Sequence, residues 1–143
     1  MKKIFFTICN YNAERNGTLE SSIRRLKSVK DADTYIGVYD SGSKDKSGSL
    51  LSKYYKSGLV DFLMMSKRNM GKAYGMNRTF DLMSQMFNPA PDDILVNMDS
   101  DIQIMDTALL SQLRAVFELH NPKYVGYRFF SDEAMTNETV NFY

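Results

Sequence analysis

Short apolar runs alternate with longer amphipathic stretches along this chain, and that alternation constrains the fold more than any other feature. The runs at residues 3–9, 34–39, 59–65, 93–98 and 124–130 are too short for core helices and are rich in β-branched and aromatic residues, so they predict strands. The stretches between them repeat apolar residues at three- and four-residue spacing, which predicts helices. Strands that alternate with helices form a mostly parallel open sheet with helices on both faces, so the expected class is α/β.

Capping and turn residues set the expected limits of four helices. Thr18 is placed to cap the first helix, and Gly58 closes the second. The third ends at the Asn-Pro-Ala-Pro segment of residues 88–91. Asp106 is expected to cap the fourth helix, which ends at the Asn-Pro pair of residues 121–122.

Composition excludes several classes of protein. With 143 residues, 43% of them hydrophobic and 24% charged, the chain has the makeup of one globular domain. Its 18 basic and 17 acidic side chains give a formal net charge of +1, so no nucleic-acid partner is expected. Cys9 is the only cysteine, which is compatible with a reducing, cytoplasmic location. No apolar stretch approaches the roughly 20 residues of a membrane-spanning helix.

Four polar segments directly follow predicted strands. In open parallel sheets, ligands bind beyond the carboxyl ends of the strands, so these segments are the candidate binding elements. Within them Tyr11 could stack on a base, and Asp40 could accept hydrogen bonds from a base or a ribose. The segments are residues 10–12, 40–43, 67–72 and 99–101.

Two aspartates occur one residue apart at the last of these segments. Because side chains alternate along an extended chain, Asp99 and Asp101 project to the same side and could hold a hard divalent cation beside a diphosphate. The structural alternative is a turn in which Asp101 or Asp106 caps the fourth helix. Asp31 and Asp33 have the same spacing, but they precede the second strand and are interpreted as a solvated turn at the opposite edge of the sheet.

A second candidate phosphate contact lies where the third helix begins. Asn69, Gly71 and Lys72 could bring backbone amides and one cation to a phosphate, because the helix dipole favours anions there. The segment is not a P-loop, since Ser66 stands where the upstream glycine of that motif belongs. His120 is the only histidine and is interpreted as structural, near the end of the fourth helix.

Taken together and in this order, the segments resemble the nucleotide-binding half of family 2-like glycosyltransferases with the glycosyltransferase-A fold. Residues 8–12 look like the opening strand of that family, which ends in Tyr-Asn, and residues 38–45 look like its second strand, which ends in Asp-x-Gly-Ser-x-Asp. Residues 69–77 are similar to its Asn-x-Gly-x-x-x-Ala-x-Asn helix start, with Gly75 at the alanine position. Residues 97–101 look like its Asp-x-Asp segment.

The resemblance implies an inverting transferase that moves a sugar from a nucleotide-sugar donor, a UDP-sugar by first choice, to a glycan, lipid or protein acceptor. It implies that Tyr11 stacks on the base, that Asp40 or Ser41 reads the base edge, and that Asp101 binds Mn²⁺ or Mg²⁺ at the diphosphate. Position 41 is serine where many relatives have a second aspartate. The expected donor site comprises Cys9, Asn10, Tyr11, Asn12, Asp40, Ser41, Asn69, Gly71, Lys72 and Asp99, and the expected metal ligands are Asp99 and Asp101.

The resemblance also predicts how the chain is divided. Residues 1–130 form the donor-binding domain, and residues 131–143 form an irregular tail that begins an acceptor-binding half, so no catalytic base is assigned. One alternative is a sugar-phosphate nucleotidyltransferase, although the glycine-rich basic segment expected after its first strand is represented only by Arg15. The other is a truncated domain that binds a nucleotide without turnover.

Overall fold

The computed structural model describes residues 1–122, which fold into a parallel sheet flanked by helices. The strands are β1 (Ile4–Asn10), β2 (Thr34–Asp40), β3 (Phe62–Met65) and β4 (Ile94–Asp99). The helices are α1 (Thr18–Val29), α2 (Ser47–Lys56), α3 (Lys72–Phe87) and α4 (Leu109–His120), with a short 3₁₀ helix at Ala13–Asn16. The strand order is β3-β2-β1-β4 with every pairing parallel, which confirms the predicted α/β class. The predicted fifth strand and tail lie outside the described residues.

Helices cover both faces of the sheet. On one face, α1, α2 and α4 pack on alternate residues of the strands and form the main apolar core. On the other face, α3 lies so close to β2 that a Cβ atom at Gly37 would come within 2.1 Å of the Met83 sulfur. No helix in the described part of the chain has both the length and the apolar character to cross a bilayer. The core residues include Ile4, Phe6, Ile8, Leu19, Ile23, Leu26, Ile36, Val38, Leu51, Ile94, Leu110 and Leu113.

The register of the sheet brings the carboxyl ends of its strands together. Cys9 of β1 is paired with Tyr39 of β2 and with Asp99 of β4. On the other side of β2, Asp40 is paired with Met65 at the end of β3. Because all four strands end at the same level, the polar segments that follow them meet at one edge.

Two predicted element boundaries are wrong for local reasons. β3 begins at Phe62 rather than at residue 59, because the amides of Leu59 and Val60 both donate to the carbonyl oxygen of Tyr54 and close the end of α2. Thr18 does not cap α1 but is its first residue, and its hydroxyl donates to the carbonyl oxygen of Ala13 at 2.7 Å.

The start of α4 differs slightly from its prediction. The helix begins at Leu109, and the residue at its N-cap is Ala108 rather than Asp106. The Asp106 carboxylate accepts hydrogen bonds from the Ala108 amide at 2.8 Å and from the Gln112 side chain at 2.9 Å. Asp106 therefore stabilises the first turn from three residues upstream of the helix.

The second pair of aspartates lies in a turn at the amino edge of the sheet, as predicted, but Asp31 is held in an ion pair as well as being partly solvated. The guanidinium group of Arg114 donates to both carboxylate oxygens of Asp31, at 2.5 and 3.1 Å, and to the carbonyl oxygen of Lys2 at 3.0 Å. Arg114 is 7% exposed. Its hydrogen bonds lower the pKa of Asp31, and the Thr34 hydroxyl donates to the same carboxylate. Asp31 thus anchors α4 to the amino edge of the sheet.

Candidate functional site

A pocket of about 490 Å³ lies at the carboxyl edge of the sheet, and all four polar segments contribute to its wall. Three predicted residues, Asn10, Asn12 and Asp40, do not line it. The predicted residues that do are Cys9, Tyr11, Ser41, Asn69, Gly71, Lys72, Asp99 and Asp101. The sequence did not predict four further lining residues, Ala13, Asn16, Thr18 and Ser100. Asn16 and Thr18 belong to an Asn-Gly-Thr turn, and Ser100 lies between the two aspartates, and these were the only features of the sequence that could have indicated them.

Asp40 is buried behind the pocket wall, where it organises the loop that follows β2. Its carboxylate accepts hydrogen bonds from the Asn10 amide group at 2.7 Å and from the Ser43 hydroxyl at 2.6 Å. The Ser43 backbone amide donates to the second carboxylate oxygen at 3.1 Å. Asp40 is only 2% exposed, and its carboxylate joins the loop after β2 at Ser43 to Asn10 at the end of β1.

The loop that follows β1 is bound to the same framework. The amide of Asn12 donates to the Ser43 hydroxyl at 2.9 Å, and its side-chain oxygen accepts from the Lys44 amide at 2.7 Å. Asn12 adopts the left-handed conformation with φ 56°, which turns the chain out of β1. These bonds fix the backbone beside Tyr11, whose side chain remains half exposed on the pocket.

The segment before α3 packs directly on the loop after β2. The Ser41 hydroxyl donates to the Asn69 side-chain oxygen and accepts from the Met70 amide, each at 2.9 Å. At Gly42, with φ +74°, an added Cβ atom would lie 2.7 to 2.9 Å from backbone atoms of Arg68. The two loops therefore touch backbone to backbone, which only glycine permits at this position.

The charged groups of the pocket come from α3 and from the end of β4. The Lys72 ammonium group forms an ion pair with Asp99, and both side chains are about half exposed. Asp101 is exposed on the same wall. Within residues 1–122 there is no cluster of three or more His, Cys, Asp or Glu side chains arranged to hold a metal ion. Among the described residues, the carboxylates on the pocket wall are therefore Asp99, which is paired with Lys72, and Asp101.

Cys9 lines the pocket but is not activated as a nucleophile. Burial raises the pKa of its thiol, and although Lys72 acts in the opposite direction, Asp40 and Asp99 add to the rise. A thiol with a raised pKa is protonated at neutral pH and reacts slowly. Its contribution to the wall is that of a small, weakly polar side chain.

The sheet order and the position of the pocket place this domain in the α/β class with the glycosyltransferase-A fold. It is similar to the crystal structure of S. aureus TarS 1-349 in complex with UDP, with a TM-score of 0.65 and 18% identity over 83% of this chain and 33% of that chain. The complex of TarS 1-349 with UDP-GlcNAc gives the same TM-score, 0.65, and 18% identity over 83% of this chain and 32% of that chain. At this level of identity the likeness establishes the fold.

A third structure, S. aureus TarS, has a TM-score of 0.61 and 18% identity over 87% of this chain and 20% of that chain. The chain thus spans about a third or less of the length of these structures. A model of the family described as glycosyl transferase family 2 matches residues 6–142. The chain therefore belongs to glycosyl transferase family 2. None of the curated proteins compared with it matches its sequence.

Proposed function

We propose that the pocket binds a nucleotide-sugar donor, with a UDP-sugar as the first choice, and that residues 1–130 are the donor-binding part of a glycosyltransferase. The observation that carries the proposal is the convergence of all four polar segments on one pocket at the carboxyl edge of the sheet. Ligands of open parallel sheets bind at this edge. Membership of glycosyl transferase family 2 and the similarity to TarS in complex with UDP-GlcNAc support a donor of this chemical class.

In this proposal the base lies between Tyr11 and the loop after β2. The Tyr11 ring is exposed enough to stack on a base, which favours an aromatic ligand over a purely anionic one. Asp40 or Ser41 was expected to read the base edge, but Ser41 is 1% exposed and its hydroxyl is already bonded to Asn69 and Met70. In this proposal the exposed Asn69 side chain, which lines the pocket, contacts the base edge, and Ser41 holds Asn69 in position. The Asp40 carboxylate already accepts three hydrogen bonds, so its part is to hold that loop.

The diphosphate and a divalent cation would occupy the other end of the pocket. Mg²⁺ and Mn²⁺ prefer oxygen ligands, and Mg²⁺ is commonly held by one or two carboxylates together with substrate phosphates, so Asp99 and Asp101 are a fitting donor set. Bound there, the cation would neutralise the charge that develops on the departing nucleoside diphosphate. In this proposal Asp99 also contacts the ribose, and Lys72 and the Gly71 backbone contact phosphate oxygens; all three residues line the pocket.

The transfer step follows from this placement. In an inverting reaction the acceptor hydroxyl attacks the anomeric carbon, the bond from that carbon to the diphosphate oxygen breaks, and a general base takes the hydroxyl proton. Among the described residues, the only carboxylates that line the pocket are Asp99 and Asp101, which the proposal assigns to donor and metal. No catalytic base is therefore assigned among the described residues.

Thermal melting of the full chain with UDP, GDP and ADP, each with Mn²⁺ or with EDTA, tests the proposal. A ligand at 100 times its Kd stabilises the folded state by about 2.7 kcal/mol, so UDP with Mn²⁺ should raise the melting temperature by several degrees and EDTA should reduce the shift. If none of the three nucleotides shifts the transition with either addition, the pocket is not a nucleotide site.

Two matched substitutions locate the cation. Asp101→Asn should weaken Mn²⁺-dependent UDP binding at least tenfold and leave the melting temperature of the free protein within about 2 °C, because this exposed carboxylate contributes little to stability. Asp33→Asn makes the same change at the amino edge of the sheet and should leave UDP binding unchanged. Isothermal titration calorimetry measures both. Equal losses in the two variants would show that the Asp99 and Asp101 pair has no special role.

A further inference from the structure

Lys72 and Asp99 form an ion pair within the pocket, and the pair connects its two charged elements. Lys72 is the first residue of α3, and Asp99 is the last residue of β4. Their side chains are 56% and 48% exposed, so the ammonium group lies at the pocket surface rather than locked in the core. An exposed lysine has a flexible stem and gains little from a single such pair, so it can change partner at small cost.

The same carboxylate is one of the two that would hold a cation. A divalent ion that approaches Asp99 meets the Lys72 ammonium group on that carboxylate, and like charges at such a short distance repel. The three pocket charges, Lys72, Asp99 and Asp101, sum to only one negative charge, which is a weak attraction for a divalent ion. Lys72 and a cation therefore compete for Asp99.

A diphosphate removes this competition. Its phosphate oxygens offer Lys72 a more highly charged partner than Asp99 and add several negative charges beside the cation position. The flexible stem of Lys72 permits its ammonium group to move from the carboxylate to the phosphate while the backbone of α3 stays in place.

We propose, on the basis of the donor site argued above, that Lys72 makes cation binding at Asp99 and Asp101 depend on the nucleotide. Lys72 opposes binding of the cation alone and favours binding of the cation together with a nucleoside diphosphate. Each ligand then raises the affinity of the other by the same factor, as linkage requires. Lys72 is thus a specificity residue that selects the metal-nucleotide pair over the free metal.

Titration of Mn²⁺ followed by electron paramagnetic resonance, without nucleotide and then with saturating UDP, tests this inference on the full chain. Lys72→Met keeps the length of the side chain and removes the charge. It should bind Mn²⁺ alone about threefold to fivefold more tightly than the unaltered protein, the range expected for one exposed ion pair. Its affinity for UDP should fall about tenfold, and UDP should enhance its Mn²⁺ affinity less than in the unaltered protein.

Two further variants control the comparison. Lys56→Met removes an exposed charge at the end of α2, and Lys56 does not line the pocket, so this variant should change both affinities less than twofold. Lys72→Arg keeps the charge and should restore the weak binding of Mn²⁺ alone. Equal or weaker binding of Mn²⁺ alone by Lys72→Met, including no detectable binding by either protein, contradicts the inference.

The outcome for the unaltered protein separates this inference from the donor site on which it rests. If the unaltered protein binds UDP with Mn²⁺ but Lys72→Met gains no affinity for Mn²⁺ alone, only the role of Lys72 fails. If the unaltered protein binds no nucleoside diphosphate with any cation, the donor site itself fails and the inference fails with it.

Discussion

Gly42 and Gly58 offer a matched pair of substitutions that tests how the pocket loops are held together. Both residues have positive φ angles, +74° at Gly42 and +70° at Gly58. An alanine Cβ at Gly58 would meet nothing within 4 Å, whereas at Gly42 it would lie 2.7 to 2.9 Å from the backbone of Arg68. Both alanine variants therefore pay the cost of a positive φ angle, but only Gly42→Ala also places a Cβ atom against the backbone of Arg68.

The expected losses of stability follow from these two terms. An alanine in the left-handed region costs about 1 kcal/mol, so Gly58→Ala should lose about that much. Gly42→Ala adds an overlap with backbone atoms, which cannot rotate away as a side chain can, and overpacking of this kind costs roughly 1–3 kcal/mol more. A total of about 2–4 kcal/mol corresponds to a fall in melting temperature of roughly 6–14 °C, against about 3 °C for Gly58→Ala.

The affinity for UDP gives a second measurement of the effect of a substitution at Gly42. Gly42 directly follows Ser41, whose hydroxyl bonds to Asn69 and Met70 depend on the close approach of the two loops. Gly42→Ala should therefore weaken UDP binding by at least tenfold at a temperature where it is fully folded, and Gly58→Ala should not. Urea denaturation gives the stabilities, and calorimetry at 15 °C gives the affinities. Equal losses of stability in the two variants would refute the proposed backbone contact.

Two other predictions concern the amino edge of the sheet and turnover. Asp31→Asn should cost about 2 kcal/mol at pH 7 in urea denaturation, less than the 3–5 kcal/mol of a fully buried pair because the Asp31 side chain is 38% exposed. Since Arg114 lowers the pKa of Asp31, this difference should persist above about pH 5 and disappear as the pH falls through and below the ordinary value of 3.8; a constant difference down to pH 2 would contradict it. The purified chain should transfer sugar from radiolabelled UDP-sugars poorly or not at all, because none of the described pocket residues is free to serve as the base. Efficient acceptor-dependent product formation would show that a base is present.

The order of the strands and helices could be predicted because each is fixed by a local pattern. The run at residues 3–9 is apolar and β-branched, and it forms β1 within one residue of its expected limits. The start of β3 could not be predicted in the same way. Leu59 and Val60 have strand propensity, but their amides are used to close α2. A local sequence pattern does not show which carbonyl oxygen will accept a hydrogen bond from a given backbone amide.

Contacts between residues that are distant in the sequence could not be predicted either, because local patterns contain no information about them. Arg114 is buried because it is bonded to Asp31, which lies 83 residues earlier in the chain, and no local pattern in α4 indicates that partner. Gly75 stands where the family pattern has alanine, and only the structure shows the cause, since a Cβ there would lie 2.4 Å from the Tyr39 ring.

Most of the pocket wall could be predicted because parallel strands end at one edge, so the segments after them must converge. The individual role of each side chain was less predictable. Asp40 and Ser41 are adjacent and both polar, and only the hydrogen bonds of Ser43 and Asn10 decide that Asp40 turns inward and Ser41 lines the pocket.

The direction of β1 has a practical consequence for measurements on this protein. Met1 is 83% exposed, and the Lys2 side chain is bonded to Asp92 at the amino edge of the sheet. The seven residues of β1 separate that edge from the pocket by about 23 Å. A tether joined to residue 1 would therefore fix the molecule to a sensor chip with its pocket facing the flowing solution. Surface plasmon resonance of nucleotides and acceptors can be set up in this orientation without blocking their access.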